Sequence, residues 1–230
     1  PTAAVKTKRN SSISVGINLH KEGKCDAFVS AGNTGALLAA STFILGKLPG
    51  VLRPTIASYF PTLKGFRLLV DAGANLELKP EHAVQFAKMG QIYCQHVMGV
   101  ESPKVGLMNV GEEDEKGTDE LKEIHKALRQ LDGFIGNVEG RDVFPAKADV
   151  FVTDGVVGNI LLKFGESIPA ALKEMVKGSA KKGWIAKLSL LAAQKVLRAS
   201  LSPFNYENVG GIPFLGVNGV SIVGHGGSSA

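Results

Sequence analysis

Five short apolar runs each stop at a glycine-bearing turn or a carboxylate. Residues 25–30 (CDAFVS) lead into Ala31-Gly32-Asn33-Thr34-Gly35, and residues 66–70 (FRLLV) into Asp71-Ala72-Gly73-Ala74-Asn75. Residues 105–110 (VGLMNV) lead into Gly111, residues 134–138 (FIGNV) into Glu139-Gly140, and residues 149–153 (DVFVT) into Asp154-Gly155. Runs this short, without strict polar–apolar alternation, predict strands buried on both faces. The stretches between them predict helices. Residues 36–45 are rich in Ala and Leu, 80–97 open on Pro-Glu, 119–131 space Leu121, Ile124, Leu128 and Leu131 helically, and 159–176 follow Gly158. A last apolar run, 220–223, enters Gly224-His225-Gly226-Gly227. The alternation predicts a mainly parallel sheet with helices on both faces, whose ligands sit at the carboxyl ends of the strands. The Gly, Asn and acidic residues fall at those ends and are expected to line one crevice.

Composition narrows the class. With 44% hydrophobic and 20% charged residues in 230, the chain is neither disordered nor a long coiled coil, and it can bury a sizeable core. Two cysteines build neither a disulfide framework nor a multi-cysteine zinc site, which fits a reducing cytoplasm. The longest uncharged stretches, 27–46 and 208–230, are broken by Gly, Asn, Ser and Thr and do not read as bilayer spans. The first residues, Pro1-Thr2-Ala3-Ala4, read as the middle of a folded unit, so the chain is expected to be a fragment.

Each strand end carries candidate chemistry beside an ordinary alternative. In Ser30-Ala31-Gly32-Asn33-Thr34-Gly35, two glycines permit close backbone approach, and Ser, Asn and Thr supply neutral donors ahead of a helix N-terminus. That suits phosphate, although a plain turn with an Asn or Thr cap fits equally. The spacing is neither the dinucleotide fingerprint nor the P-loop. Asp71 orients a donor, holds a metal through water, or caps its turn. Lys116 ends the acidic run Glu112-Glu113-Asp114-Glu115 beside Gly117, where one cation would meet phosphate or a developing oxyanion; a solvated loop is the alternative. Asn159, after Asp154 and Gly158, is a natural helix cap. His225, in its glycine loop, is a further anion donor or a surface residue.

Together, SAGNTGA (30–36), VDAGAN (70–75), NVGEEDEKG (109–117), GNVEG (136–140), VTDGVVGNILLK (152–163) and GVNGVSIVGHGGSS (216–229) resemble, in this order, the bacterial phosphate acyltransferase (PlsX) family. The resemblance covers nearly the whole chain. It implies transfer of an acyl group from acyl-acyl-carrier-protein to orthophosphate, the first step toward phosphatidic acid. It also implies a three-layer α/β/α sandwich related to phosphotransacetylases and isopropylmalate dehydrogenases, a homodimer, and a cytoplasmic enzyme peripherally associated with the membrane. The family's N-terminal βα portion is absent from residues 1–230, which are expected to form one catalytic domain. On the resemblance, Ser30, Gly32, Asn33, Thr34, Gly35 and His225 bind orthophosphate, and Lys116 and Asn159 serve the oxyanion or phosphate. Asp71, Asn75, Glu139 and Asp154 orient those donors. No metal or organic cofactor is called for. Two alternatives stay open: a phosphotransacetylase-like enzyme using acyl-CoA, and a non-catalytic carrier- or membrane-binding module.

Residues 173–206 read as a basic amphipathic helical insertion. Lys173, Lys177, Lys181, Lys182, Lys187, Lys195 and Arg198 stand against Glu174 alone, more than the whole net charge of +5, and alternate with Ile185, Leu188, Leu190, Val196 and Leu197. Such a helix lies on an anionic membrane surface, with Trp184 at the interface, docks an acidic carrier protein, or packs as a surface helix. Nucleic acid is not expected, because the basic residues gather on this Leu-rich segment and aromatics are only 7%.

Overall fold

A computed structural model of the chain describes residues 7–180 and 210–224, together with Val196 and Ala199. The elements are α1 (Ser12–Lys21), β1 (Phe28–Ser30), α2 (Thr34–Ala40) continuing into a π-helical turn (Ser41–Leu45), β2 (Thr55–Thr62), β3 (Gly65–Val70), α3 (Pro80–His96), β4 (Val105–Met108), α4 (Asp119–Leu128), β5 (Phe134–Val138), a 3-10 turn (Gly140–Asp142), β6 (Val150–Val152), α5 (Gly155–Ala180), β7 (Ile212–Leu215) and β8 (Ser221–Val223). The five runs that end in glycine or carboxylate are β1, β3, β4, β5 and β6.

Helix starts follow local chemistry. Ser11 caps α1 by accepting from the Ser14 amide, Thr118 caps α4 by accepting from Leu121, and Pro80 opens α3, where its missing N–H costs nothing. α4 carries Asp119 and Glu120 in its first turn and His125 and Lys126 in its last, matching the helix dipole.

One eight-stranded sheet runs β1-β8-β7-β2-β3-β6-β4-β5. Pairing is parallel for β1–β8, β3–β6, β6–β4 and β4–β5, and antiparallel for β8–β7, β7–β2 and β2–β3. Successive strand residues face opposite layers. Leu68 and Val70 pack with Ala83, Phe86 and Ile124 of α3 and α4, whereas Leu69 and Phe151 join Phe60 and Val143 in a cluster that Leu161 and Leu162 of α5 cover. A third cluster joins Ile17 and Leu37 to Ile56, Phe214 and Val223 under α1 and α2. The result is the expected three-layer α/β/α arrangement.

The antiparallel middle changes the site's layout. Following the pairings across the sheet, β1 runs opposite to β3, β6, β4 and β5. The turn after β1 therefore leaves the sheet in the opposite sense, four strands away from Asp71. A single crevice lined by every predicted strand end is not what these pairings build.

Candidate functional site

Four predicted site segments issue side by side from the carboxyl ends of β3, β6, β4 and β5. Asp71 organises the first of them. It is fully buried, and its Oδ1 accepts the backbone N–H groups of Ile56 (3.3 Å), Gly73 (3.1 Å) and Ala74 (3.0 Å). Its Oδ2 accepts the backbone N–H of Asn75 at 2.6 Å and the Asn75 Nδ2 at 2.8 Å. Burial pushes the Asp71 carboxyl above its ordinary range, and the Ala74, Asn75 and Ile56 donors offset that only in part. Asn75 Nδ2 also donates to the Pro54 carbonyl at 3.0 Å. Both residues thus shape the loop rather than face a ligand.

α5 closes onto this loop. Its cap is Asp154, whose Oδ1 accepts from Val156 (2.8 Å) and Val157 (2.9 Å), and not Asn159. The Gly155 amide donates to Asn75 O at 2.7 Å and the Gly158 amide to Asp154 O at 3.0 Å, so the first turn has no amide left for an anion. The approach is close enough to require glycine. A Cβ on Gly158 would stand 1.9 Å from the Asp71 carbonyl oxygen, and one on Gly155 would stand 2.6 Å from the Asn75 carbonyl oxygen. Asn159 is thereby set beside Gly73, where a Cβ would lie 3.6 Å from its Cβ and Cγ. The Asn159 side chain is exposed and has no hydrogen-bond partner among the described residues.

Lys116 sits on the loop after β4. Its stem folds over Gly111, where a Cβ would come within 2.8 Å of Lys116 Cγ. Two of the four acids in this loop have other partners, Glu112 with Lys147 at 3.0 Å and Asp114 with Arg129 at 2.7 Å, while the Glu113 carboxylate lies on the same side of Gly111 as the lysine stem. Among the described residues the Lys116 ammonium is unpaired and exposed, free to meet an anion.

Glu139 and Asp154, expected to orient these donors, are bound to their own turns. Glu139 forms a reciprocal cap with Asp142 and pairs with Arg141 at 3.0 Å, and Asp154 serves α5. A carboxylate directly after a strand meets the free amides of the next turn first.

The turn after β1 keeps part of its predicted character. Ser30 Oγ accepts from Gly32 N–H at 3.1 Å, and Asn33 Oδ1 caps α2 by accepting from Ala36 at 2.9 Å. Asn33 Nδ2, the Thr34 hydroxyl and the Gly35 amide have no partner among the described residues. No hydrogen bond or ion pair there joins this turn to Asp71, Lys116 or Asn159. What the two regions share is the core cluster in which Leu37 and Leu38 meet Ala72, Ala74 and Leu162. His225 lies outside the described residues, as do Lys181, Lys182, Trp184, Lys187, Lys195 and Arg198 of the basic segment. Within them, Lys177 pairs with Glu174 at 2.6 Å, and Val196 is exposed.

Two buried polar residues that the sequence pattern passes over, His125 and Asn137, hold the Lys116 loop from beneath. The sequence trace of Asn137 is a lone amide inside the apolar run 134–138. Among the described residues, no group of three or more His, Cys, Asp or Glu side chains is arranged to hold a metal.

A family model described as "Fatty acid synthesis protein" matches residues 1–230. The phosphate acyltransferase of Chlorobaculum tepidum is 51% identical over 100% of this chain and 72% of its own length. That of Heliobacterium modesticaldum is 49% identical, over 100% of this chain and 69% of its own. The fold is that of EutD phosphotransacetylase from Staphylococcus aureus (TM-score 0.58, 16% identity, 94% of this chain and 62% of that one). A branched-chain phosphotransacylase from Enterococcus faecalis V583 superposes equally (TM-score 0.58, 14% identity, 94% and 73%). A family match along the whole sequence and identity of about half to relatives covered over more than two thirds of their length place the chain in the fatty acid synthesis protein family, among the phosphate acyltransferases.

Proposed function

We propose that the chain transfers a fatty acyl group from acyl-acyl-carrier-protein to orthophosphate, giving acyl phosphate and free carrier protein. The observation that carries this reading is the identity of about half over the full chain to proteins named phosphate acyltransferase.

The chemistry asks little of acids and bases. A phosphate oxygen attacks the thioester carbonyl carbon, negative charge collects on the carbonyl oxygen, and the C–S bond then breaks. The departing thiolate, whose conjugate acid has a pKa of about 8.5, takes its proton from solvent. The protein's work is to bring two anions together and to stabilise the oxyanion. Lys116 supplies positive charge and Asn159 Nδ2 a neutral hydrogen bond. Asp71, Gly155 and Gly158 fix where Asn159 stands. The turn at Ser30 leaves the sheet in the opposite sense, four strands from Asp71, so Asn33, Thr34 and Gly35 are left out of this site, and orthophosphate is taken to meet Lys116 and Asn159.

The donor as carrier protein, the homodimer, and a cytoplasmic enzyme peripheral on an anionic membrane through residues 173–206 belong to this same reading. Among the described residues no helix is long and apolar enough to cross a membrane.

The test is acyl phosphate formation from acyl-acyl-carrier-protein and orthophosphate, trapped with hydroxylamine. Lys116→Ala and Asn159→Ala each lower turnover by about 10²–10³ with unchanged folding. Unchanged rates in both the Lys116 and Asn159 variants refute the site, and faster reaction with short acyl-CoA than with acyl-acyl-carrier-protein refutes the donor.

A further inference from the structure

His125 on α4 is 4% exposed and Asn137 on β5 is 3% exposed, and neither takes part in the chemistry above. His125 Nδ1 lies 2.9 Å from Asn137 Oδ1, while Asn137 Nδ2 donates to the Glu113 carbonyl at 2.8 Å. The second bond fixes which way the amide points, so its oxygen faces the imidazole and Nδ1 carries a proton. The other ring nitrogen stands 3.3 Å from Asp114 Oδ1, and Arg129 holds Asp114 Oδ2 at 2.7 Å. The Glu113 carbonyl has a second donor, the backbone N–H of Lys116 at 3.1 Å, and the Lys116 carbonyl accepts from Asn109 Nδ2 at 3.0 Å. Residues 112–116 (EEDEK) have no apolar side chain with which to anchor themselves. Their link to the interior is this chain of bonds, which runs from His125 through Asn137 to the turn that bears Lys116. Buried polar groups are costly unless bonded, and here the bonds are spent on one surface loop.

We propose that His125 and Asn137 are positioning residues for Lys116, holding its loop so that the lysine stem stays folded over Gly111 beyond the carboxyl end of β4; this rests on the role given to Lys116 above. Neither residue touches substrate. A misplacement of about 1 Å costs up to about 10²-fold in rate, so loosening the loop is expected to lower kcat while leaving the KM for acyl-acyl-carrier-protein unchanged.

The experiment is a double-mutant cycle on the full chain, with acyl phosphate formation and thermal unfolding measured together. His125→Leu keeps the volume and loses both bonds, and its kcat is expected to fall roughly tenfold or more. In a Lys116→Ala background the same change is expected to add no further loss, because the effect passes through the missing ammonium. Losses that multiply in the double variant, or a folded His125→Leu with full turnover, overturn the proposal. Asp114→Asn, at a half-exposed position, gives the same cycle should His125→Leu fail to fold. Full activity in Lys116→Ala removes the underlying role of Lys116, and is distinguished from an impaired Lys116→Ala with an inert His125→Leu, which overturns the positioning alone.

Discussion

Gly158→Ala adds one methyl group where the first turn of α5 meets the Asp71 loop. The new Cβ would stand 1.9 Å from the Asp71 carbonyl oxygen, 3.0 Å from its carbon and 3.0 Å from Thr153 Cγ2. Two of those three atoms are backbone, and Asp71 is held by five N–H donors, so no side chain can swing away to make room. Overpacking of this kind costs about 1–3 kcal/mol, and the better helix propensity of Ala returns up to about 1 kcal/mol. In a chain of 230 residues, a net loss of about 1–2 kcal/mol lowers Tm by roughly 2–8 °C. The larger consequence is catalytic. Either α5 or the loop must shift by about an ångström, taking Asn159 with it, and turnover falls by about 10². Gly178→Ala in the same helix, where nothing among the described residues lies within 4 Å of the added Cβ, is the control and is expected to be neutral or stabilising by up to about 1 kcal/mol. Calorimetry and hydroxylamine trapping read both quantities. A Gly158→Ala enzyme with unchanged Tm and full turnover would refute the close approach as the device that sets Asn159.

Asp71→Asn puts an N–H group among donors and leaves buried amides unpaired, a loss of about 1–3 kcal/mol or more at neutral pH by denaturant unfolding. The pH dependence has a definite sign. Because the folded-state pKa of Asp71 is raised above its ordinary 3.8, the stability linked to it is complete below that value and declines as pH rises through the folded pKa. The advantage of wild type over Asp71→Asn is therefore largest at the acid end, and an advantage that grows with pH contradicts the burial argument. Burial pushes the Cys94 thiol up to about 12, with Asp149 adding to the shift, whereas Cys25 is half-buried. Iodoacetamide at pH 8 should label Cys25 alone until the protein is unfolded, as mass spectrometry would show; early labelling of Cys94 contradicts its place in the core.

The elements most readable in the sequence are those whose burial is local and uniform. β4 and β6 appear as apolar runs because they are buried along their length, and β3 and β5 because they are buried at their carboxyl ends, while α3 and α4 appear because one helical stripe meets the sheet. β2 and β7 are harder to see. β2 carries Thr55, Ser58 and Pro61, and β7 carries Pro213, so their strand character comes from partners far along the chain. Those two strands decide the sense of β1, and with it how the turn at Ser30 stands to Asp71. A reading of runs and turns cannot supply that, since strand direction is a property of pairing.

The candidate site divides the same way. The residue types at the strand tips, and their order along the chain, are written in the sequence, because glycine, Asn and carboxylate at a strand end have few alternative uses. Whether a given side chain faces a ligand or its own turn depends on which backbone amides lie within reach once the chain is folded. Asp154 takes the cap of α5 and leaves Asn159 free, Glu139 turns to Arg141, and His125 and Asn137, unremarkable in a helix and a strand, meet beneath Lys116. Local chemistry thus sets which groups are present, and long-range packing sets which of them are already occupied.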